Sequence, residues 1–463
     1  MEDFKGYHSE WNLVSPGGWD YQRLTQIIGR AVWFKLNAIR SFGVHLDFNH
    51  PMFYPVAGFA KMLVEVHRVR EGQNPGLIAI VAEEETLDDV TENRNLAKRL
   101  NEIEGITGAL MAPHELELKN ERVCWQNKPV SIIFLDFSTN VLVDLHRKLD
   151  LGPLLQAVRE HRVINPRGIE PINVKSIFEA VSGFLCDQFD PQIVRRTPWT
   201  RQFYQRQTEG PAGIEIPDLV EWTRKNSHSL VLKPEIGYSG QGVKVGEVND
   251  DWDEAIDLAL TAGNYIVQEK IPLSLWAEEI PEMQGGKISL RQYQTDFRCF
   301  VAPSGPLGFM ARYGGVPTNV GSGGGMQPLA VLSSDMSVRE AVDRINDAIL
   351  NISPADILEV LDEQNKLTTG SHFTYVLGPI KIALRPRVVA PGQIMALQNY
   401  GAKLWLDCLK LEKLWIAGVL DDLVKAEGQE LEIANLQPWS GTPAIIASDG
   451  LFSFGADLTE SKH

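Results

Sequence analysis

The chain has 463 residues, with 44 Lys plus Arg against 60 Asp plus Glu and a formal net charge of −16. At ~150 residues per domain, that length points to about three structural units, each able to bury a core. So acidic a surface argues against general nucleic-acid binding, which works by neutralising phosphates, and against an anionic membrane surface; it leaves room for a local basic pocket.

Cys124, Cys186, Cys299 and Cys408 are scattered and form no CxxC pair, so neither a disulfide framework nor a zinc site is indicated. The start, MEDFKGYHSE, is polar and lacks the apolar stretch of a signal peptide. No apolar run approaches the ~20 residues of a membrane span. A reducing cytoplasm is the expected location.

Apolar residues at helical spacing predict a helix over residues 21–40, with Leu24, Ile27, Ile28 and Ala31 on one face. FGVHLDFNHP then reads as a short strand stopped by Pro51, and 57–72 as a second helix. PGLIAIVAEEE is a buried strand, 87–104 a polar helix, and GALMAP another strand, an order that predicts a small parallel sheet covered by helices. SIIFLDF continues that sheet, followed by a helix near 152–160 and RVINP at 161–166.

The texture changes near residue 170. LVLKPEIGYSGQGVKVGEV reads as two strands joined by a glycine-rich loop, and a helix near 252–262 follows. YIVQEKI, YQTDFRCFVA and PLGFMARYGG add strands of a second α+β unit. Beyond Leu329 the pattern is mainly helical, including an apolar stretch over 402–425 that is either core or a subunit interface. From Asn435 onward it reads as loop and irregular strand.

Residues 230–248 carry the most chemistry. Lys233 ends an apolar strand, and Gly237, Tyr238, Ser239, Gly240, Gln241 and Gly242 form a loop whose backbone can approach a ligand and turn N–H groups toward phosphate oxygens. The lysine precedes the glycines, which is not the Walker order, and a plain hairpin with a surface lysine fits the loop alone equally well. In YIVQEKI, Gln268, Glu269 and Ile271 stand at a strand end able to meet an adenine and a ribose, or simply to end a strand. Asp296 and Arg298 in TDFRCFV share one face by period-two alternation, and Arg312 and Asn319 follow in FMARYGGVPTNVGSGGG. Two arginines on neighbouring strands suit a clamp on a transferring phosphoryl group, or a cross-strand ion pair.

The ordered set of lysine, glycine-rich loop, strand–Gln–Glu, Asp-x-Arg and Arg…Asn resembles the ATP-grasp superfamily over about residues 170–330. The resemblance implies ATP and Mg²⁺ as cofactors, Lys233 and Lys175 on the phosphates, the loop Gly237–Gly242 as a lid, and Arg298, Arg312 and Asn319 at the reacting groups. It also calls for an acidic-x-Asn pair that binds magnesium, normally after the arginines. There, Glu430, Glu432 and Asn435 have the wrong spacing. HLDFNHP supplies Asp47 and Asn49 instead, beside His45, with hard oxygen ligands suited to Mg²⁺; seen alone, they read as a turn cap. The acidic residue expected upstream of that pair is replaced by Lys35 and Asn37.

A metal pair ahead of the nucleotide lysines resembles the circularly permuted ATP-grasp group, which includes glutathionylspermidine synthetase, and also peptide ligases of the pheganomycin type. The expected organisation is α/β and α+β: an α/β region over 1–168 carrying the metal motif, an ATP-grasp core over 169–330, and a mainly helical region over 331–463. The implied activity is ligation of a carboxylate to an amine, amino acids or peptides among them, through an acyl phosphate with release of ADP. Alternatives are acyl transfer to a carrier-protein thiol, a non-catalytic ATP-binding switch, and an α/β protein whose glycines serve only turns. No nucleic acid or membrane partner is expected, and the resemblance allows a homodimer.

Overall fold

The computed structural model describes residues 6–237, 240–246, 251–272, 277–316, 318, 320, 323–369 and 380–451. It is a mixture of helices and sheets. The chain enters through a short strand, β1 (Glu10–Asn12), and turns at Gly18 into the long helix α1 (Trp19–Ile39).

The buried face of α1 differs from the expected one. Tyr21, Gln22, Thr25, Gln26, Ile28, Gly29 and Val32 face inward, while Ile27 is 51% exposed. Two glutamines lie on the inner face because they satisfy backbone groups of neighbouring strands. Gln22 accepts from the Ala311 N–H, and Gln26 accepts from the Leu329 N–H and donates to the Phe48 carbonyl. Gly29 lets the helix approach closely, since a Cβ there would stand 2.1 Å from Pro328. The strand expected in FGVHLDFNHP shrinks to Leu46–Asp47, paired with Leu329–Leu332.

The α/β unit follows. Its parallel strands are β2 (Gly76–Val81), β3 (Ile106–Met111), β4 (Lys128–Leu135) and β5 (Val163–Ile164), in the order β3–β2–β4–β5. Helix α2 (Thr91–Leu100), shorter than the predicted 87–104, links β2 to β3. Apolar side chains such as Ile78, Ile80, Ile132 and Phe134 are buried, as continuous apolar runs in a parallel sheet require.

A four-stranded antiparallel sheet carries the glycine-rich loop. Its strands β6 (Thr200–Gln202), β7 (Leu230–Pro234), β8 (Lys244–Val245) and β9 (Tyr265–Glu269) run in the order β8–β7–β9–β6. The helix Trp252–Ala262 packs on it, as its periodicity predicts.

The central sheet is antiparallel. β10 (Ala277–Gln284), β11 (Lys287–Ala302), β12 (Gly305–Gly314) and β13 (Gly325–Gln327) are consecutive, but β11 also pairs with β14 (Ile446–Leu451), and β14 pairs with β1. The sheet therefore takes strands from the first, middle and last parts of the chain, and the ranges 1–168, 169–330 and 331–463 share it. One face is covered by α3 (Pro391–Ile416): Tyr400, Leu404 and Cys408 pack with Trp11, Phe297 and Cys299. The apolar stretch read over 402–425 ends as a helix at Ile416; its inner side is core, and Leu406 stays 64% exposed. No helix among the described residues is long and apolar enough to cross a membrane.

Asn165 ties these units together. Its fully buried amide donates to the carbonyls of Leu13, Val14 and Ile445 and accepts from the Ile445 N–H at 2.7 Å. Asn165→Ala leaves these backbone groups buried without partners, so a loss of about 2–4 kcal/mol is expected in urea unfolding. An unchanged midpoint would show that the tie carries no stability.

Candidate functional site

β7, β9 and the glycine-rich loop face the central sheet across a cavity of about 140 Å³. Lys233 is the penultimate residue of β7, and alternation aims it inward. Its Nζ donates to Gln268 Oε1 at 2.7 Å and to the Ser9 carbonyl at 3.3 Å. Gln268 in turn donates to Thr200 Oγ1 at 2.9 Å, which fixes the amide orientation. Burial lowers the Lys233 pKa to about 8, with Glu10 opposing and Lys175 assisting that shift.

Lys175 reaches the same space from a loop. Its backbone N–H donates to the Glu235 carbonyl, and its Nζ donates to the Gly237 carbonyl at 2.8 Å and lies 3.1 Å from the Glu10 carboxylate. Gly240 and Gly242 have φ of 72° and 71°, a conformation that side-chain-bearing residues rarely adopt, so the loop needs glycine at both. Gly240 and Gln241 line the cavity, with Val231, Val243 and Val245 as an apolar wall and Glu269 and Ile271 at the far edge.

The opposite wall is a row of charges on one face of the central sheet. Glu10 of β1 lies directly across from Asp449 of β14. Arg298 grips Asp449 with two bonds, Nε to Oδ1 at 2.5 Å and Nη2 to Oδ2 at 2.6 Å, and donates a third to the Gly17 carbonyl. Arg312 grips Asp296, its partner across β11 and β12, at 2.9 and 2.7 Å, and Thr318 also donates to Asp296. Such bidentate pairs fix orientation as well as charge. Burial pushes the Glu10 carboxyl up, but Lys175, Lys233 and Arg298 outweigh it and hold the group below its ordinary value. The Arg312 guanidinium is held charged by Asp296 and Asp449 against its burial. Lys175, Lys233, Lys270, Arg298 and Arg312 thus stand with Glu10, Glu269, Asp296 and Asp449 at the cavity, five cations against four carboxylates in an otherwise acidic protein.

The structure brings Lys175, Lys233, Gly240, Gln241, Gln268, Glu269, Ile271 and Arg312 to one cavity, and Arg298 adjoins it through Asp449. Gly242 sits behind the loop against Pro234. Tyr238, Ser239 and Asn319 lie outside the described residues. Asp47 and Asn49 do not line the cavity. Asp47 accepts from the Asn49 N–H at 2.8 Å, a strand-ending turn, and Asn49 accepts from Arg30 at 2.7 Å. The carboxylates that line the cavity, among the described residues, are Glu10, Glu269, Asp296 and Asp449. Glu10 and Asp449 are brought together by the pairing of β1 with β14, which joins distant parts of the sequence. Among the described residues, no three or more His, Cys, Asp or Glu side chains converge as a metal cage. Cys299 faces the core, and burial pushes its thiol far up.

No protein-family model and no curated protein matches the chain. Solved structures that it resembles include the RimK domain protein ATP-grasp from Sphaerobacter thermophilus, at 15% identity and TM-score 0.27 over 46% of this chain and 70% of that one. D-cycloserine synthetase DcsG shows 12% identity and a TM-score of 0.28, over 62% of this chain and 82% of that one. The macrocyclase MdnC bound with precursor peptide MdnA from Microcystis aeruginosa shows 11% identity and a TM-score of 0.30, over 62% and 83%.

The Lys233 environment sets a pH dependence. The folded protein releases this proton near pH 8, while the unfolded chain holds it to about 10.4. Between those values the unfolded state binds more protons, so this group makes stability rise with pH. Lys233→Met is expected to remove that rise, read as the wild-type minus variant difference in urea unfolding at about pH 7 and about pH 9.5. An identical pH trend in both proteins would contradict it.

Proposed function

We propose that the protein is an ATP-dependent ligase that joins a carboxylate to an amine through an acyl phosphate. The observation that carries this reading is a single cavity in which Lys175, Lys233 and a positive-φ glycine loop face two bidentate arginine–carboxylate pairs. The valine wall and the edge at Glu269 and Ile271 suit an adenine and ribose, and the lysines suit the phosphates.

A nucleoside triphosphate also requires something between its charge and the carboxylates Glu10, Asp296 and Asp449. Their oxygen-only chemistry fits Mg²⁺, which binds through one or two carboxylates together with substrate phosphates and needs no complete protein cage. In this reading Glu10, Asp296 and Asp449 would hold the ion, which would neutralise charge on the phosphates and polarise them. Glu10 would then precede the nucleotide lysines in the chain, and Asp296 and Asp449 would follow them.

The remaining steps belong to the chain's own cations. A carboxylate oxygen of the acid substrate displaces ADP at the γ-phosphorus, giving the acyl phosphate. The amine nitrogen, as the free base, then attacks the acyl carbon; the C–O bond to phosphate breaks as the C–N bond forms, and the proton lost from nitrogen leaves with the phosphate. Arg312 and Arg298 stabilise the charge on the transferring phosphoryl group and on the tetrahedral oxyanion, since fixed donors in a water-poor site need no reorganisation. The glycine loop closes over the phosphates and excludes water that would hydrolyse the intermediate.

Incubation with Mg-ATP and pools of carboxylates, amino acids, peptides and amines is expected to give pool-dependent ADP and phosphate. AMP and pyrophosphate would overturn the acyl-phosphate mechanism. Lys233→Ala and Glu10→Gln are each expected to lower turnover about 10²–10³-fold with the fold retained. Asp47→Asn is expected to match wild type across a magnesium titration.

A further inference from the structure

The α/β unit has its own ligand-site geometry. The chain leaves β2 toward β3 on one side and β4 toward β5 on the other, so the carboxyl ends of β2 and β4 flank a topological switch point. In open parallel sheets, ligands bind outside the strand ends at such a point. Glu83 stands two residues past β2, and Asp136 directly follows β4. From α2, Asn93 reaches Asp136: its Nδ2 donates to Asp136 Oδ2 at 2.5 Å. The other half of that amide, Oδ1, has no hydrogen-bond partner among the described residues, although Asn93 is only 1% exposed.

Two nearby acids are already supplied with donors. Glu92 accepts from the N–H groups of Gly18 and Asp20, and Asp20 accepts from Arg23 and Asn95. Glu83 and Asp136 are different: among the described residues their side chains meet no cation, and Asn93 Nδ2 is the one side-chain donor to Asp136. Burial, with Glu83 adding to it, pushes the Asp136 carboxyl up to about 7. The missing partner is therefore a cation with several N–H donors, and a primary ammonium carries three.

We propose that Glu83, Asp136 and Asn93 form a binding site for a primary ammonium group. Its assignment to the amine substrate rests on the ligase reading above. One loop connects the two sites. Gly18 donates to Glu92, the residue preceding Asn93, and the Gly17 carbonyl accepts from Arg298. An amine held at the switch point thus lies against the loop that abuts the cavity's arginine.

Calorimetric titration with glycinamide, a primary ammonium without a carboxylate, tests the site. Acetamide serves as the neutral control and acetate as the anion. Wild type is expected to bind glycinamide saturably and neither control. Glu83→Gln and Asp136→Asn are each expected to weaken glycinamide about tenfold or more, with unchanged thermal midpoints. No saturable glycinamide binding, equal binding of acetamide, or full affinity in both folded variants would overturn the proposal. Binding of Mg²⁺ with a non-hydrolysable ATP analogue, measured on the same samples, separates the two readings. Glycinamide binding without nucleotide binding leaves this site standing and sinks the ligase; the reverse sinks only this site.

Discussion

Two strands from opposite ends of the described chain, β1 and β14, lie side by side in the central sheet, and the charges of the cavity take their places from that pairing. Register puts Glu10 directly opposite Asp449. Alternation then turns Trp11 and Ser448 to the other face, where Trp11 joins the core beneath α3. A slip by one residue would exchange these faces, burying two carboxylates in an apolar core and exposing a tryptophan. The Asn165 amide blocks such a slip by binding both the segment after β1 and the residue before β14.

Charge pairing is the second constraint. Lone buried carboxylates and guanidiniums are costly, and a pair offsets that cost only with good geometry and satisfied hydrogen bonds. Arg298 and Arg312 meet this condition with two-point contacts, and Thr318 and the Gly17 carbonyl take up further bonding capacity. Lys233 does not: its amine bonds to an amide oxygen and a backbone carbonyl, and burial depresses its pKa. The lysine is thus the group in this wall most ready to gain from an incoming anion.

Local chemistry was legible in the residues, and non-local pairing was not. Lys233, the glycines and Gln268 declared themselves because one strand, one loop and one facing strand lie within forty residues of sequence. Asp296, Arg298 and Arg312 were readable from period-two alternation along a single hairpin. Glu10 and Asp449 were missed because their partnership joins sequence positions more than four hundred residues apart, which no local pattern records. Asp47 and Asn49 show a different ambiguity: an Asx turn supplies the same residue types at the same spacing as a ligand pair, and here Asp47 accepts from the backbone N–H of Asn49. The buried face of α1 was misjudged for a related reason. Gln22 and Gln26 look like solvent residues until the strand edges that they satisfy are in place.

The loop Ser15–Gly18 connects the sheet's charges to the α/β unit. Gly18 has φ of 101° and no side chain with which to cap α1, so the first N–H groups of a 21-residue helix need an acceptor from elsewhere. Glu92 supplies it from α2, placing a carboxylate where the helix dipole is positive. Burial pushes the Glu92 pKa up to about 8, and the Gly18 and Asp20 N–H groups pull against that shift. The helix terminus and the acid therefore stabilise one another, and neither is well placed without the other. Because Arg298 holds the same loop through the Gly17 carbonyl, the ends of β2 and β4 and the cavity wall are mechanically one assembly. Asp136 meets α2 through Asn93, α2 meets the loop through Glu92, and the loop meets Arg298 through the Gly17 carbonyl.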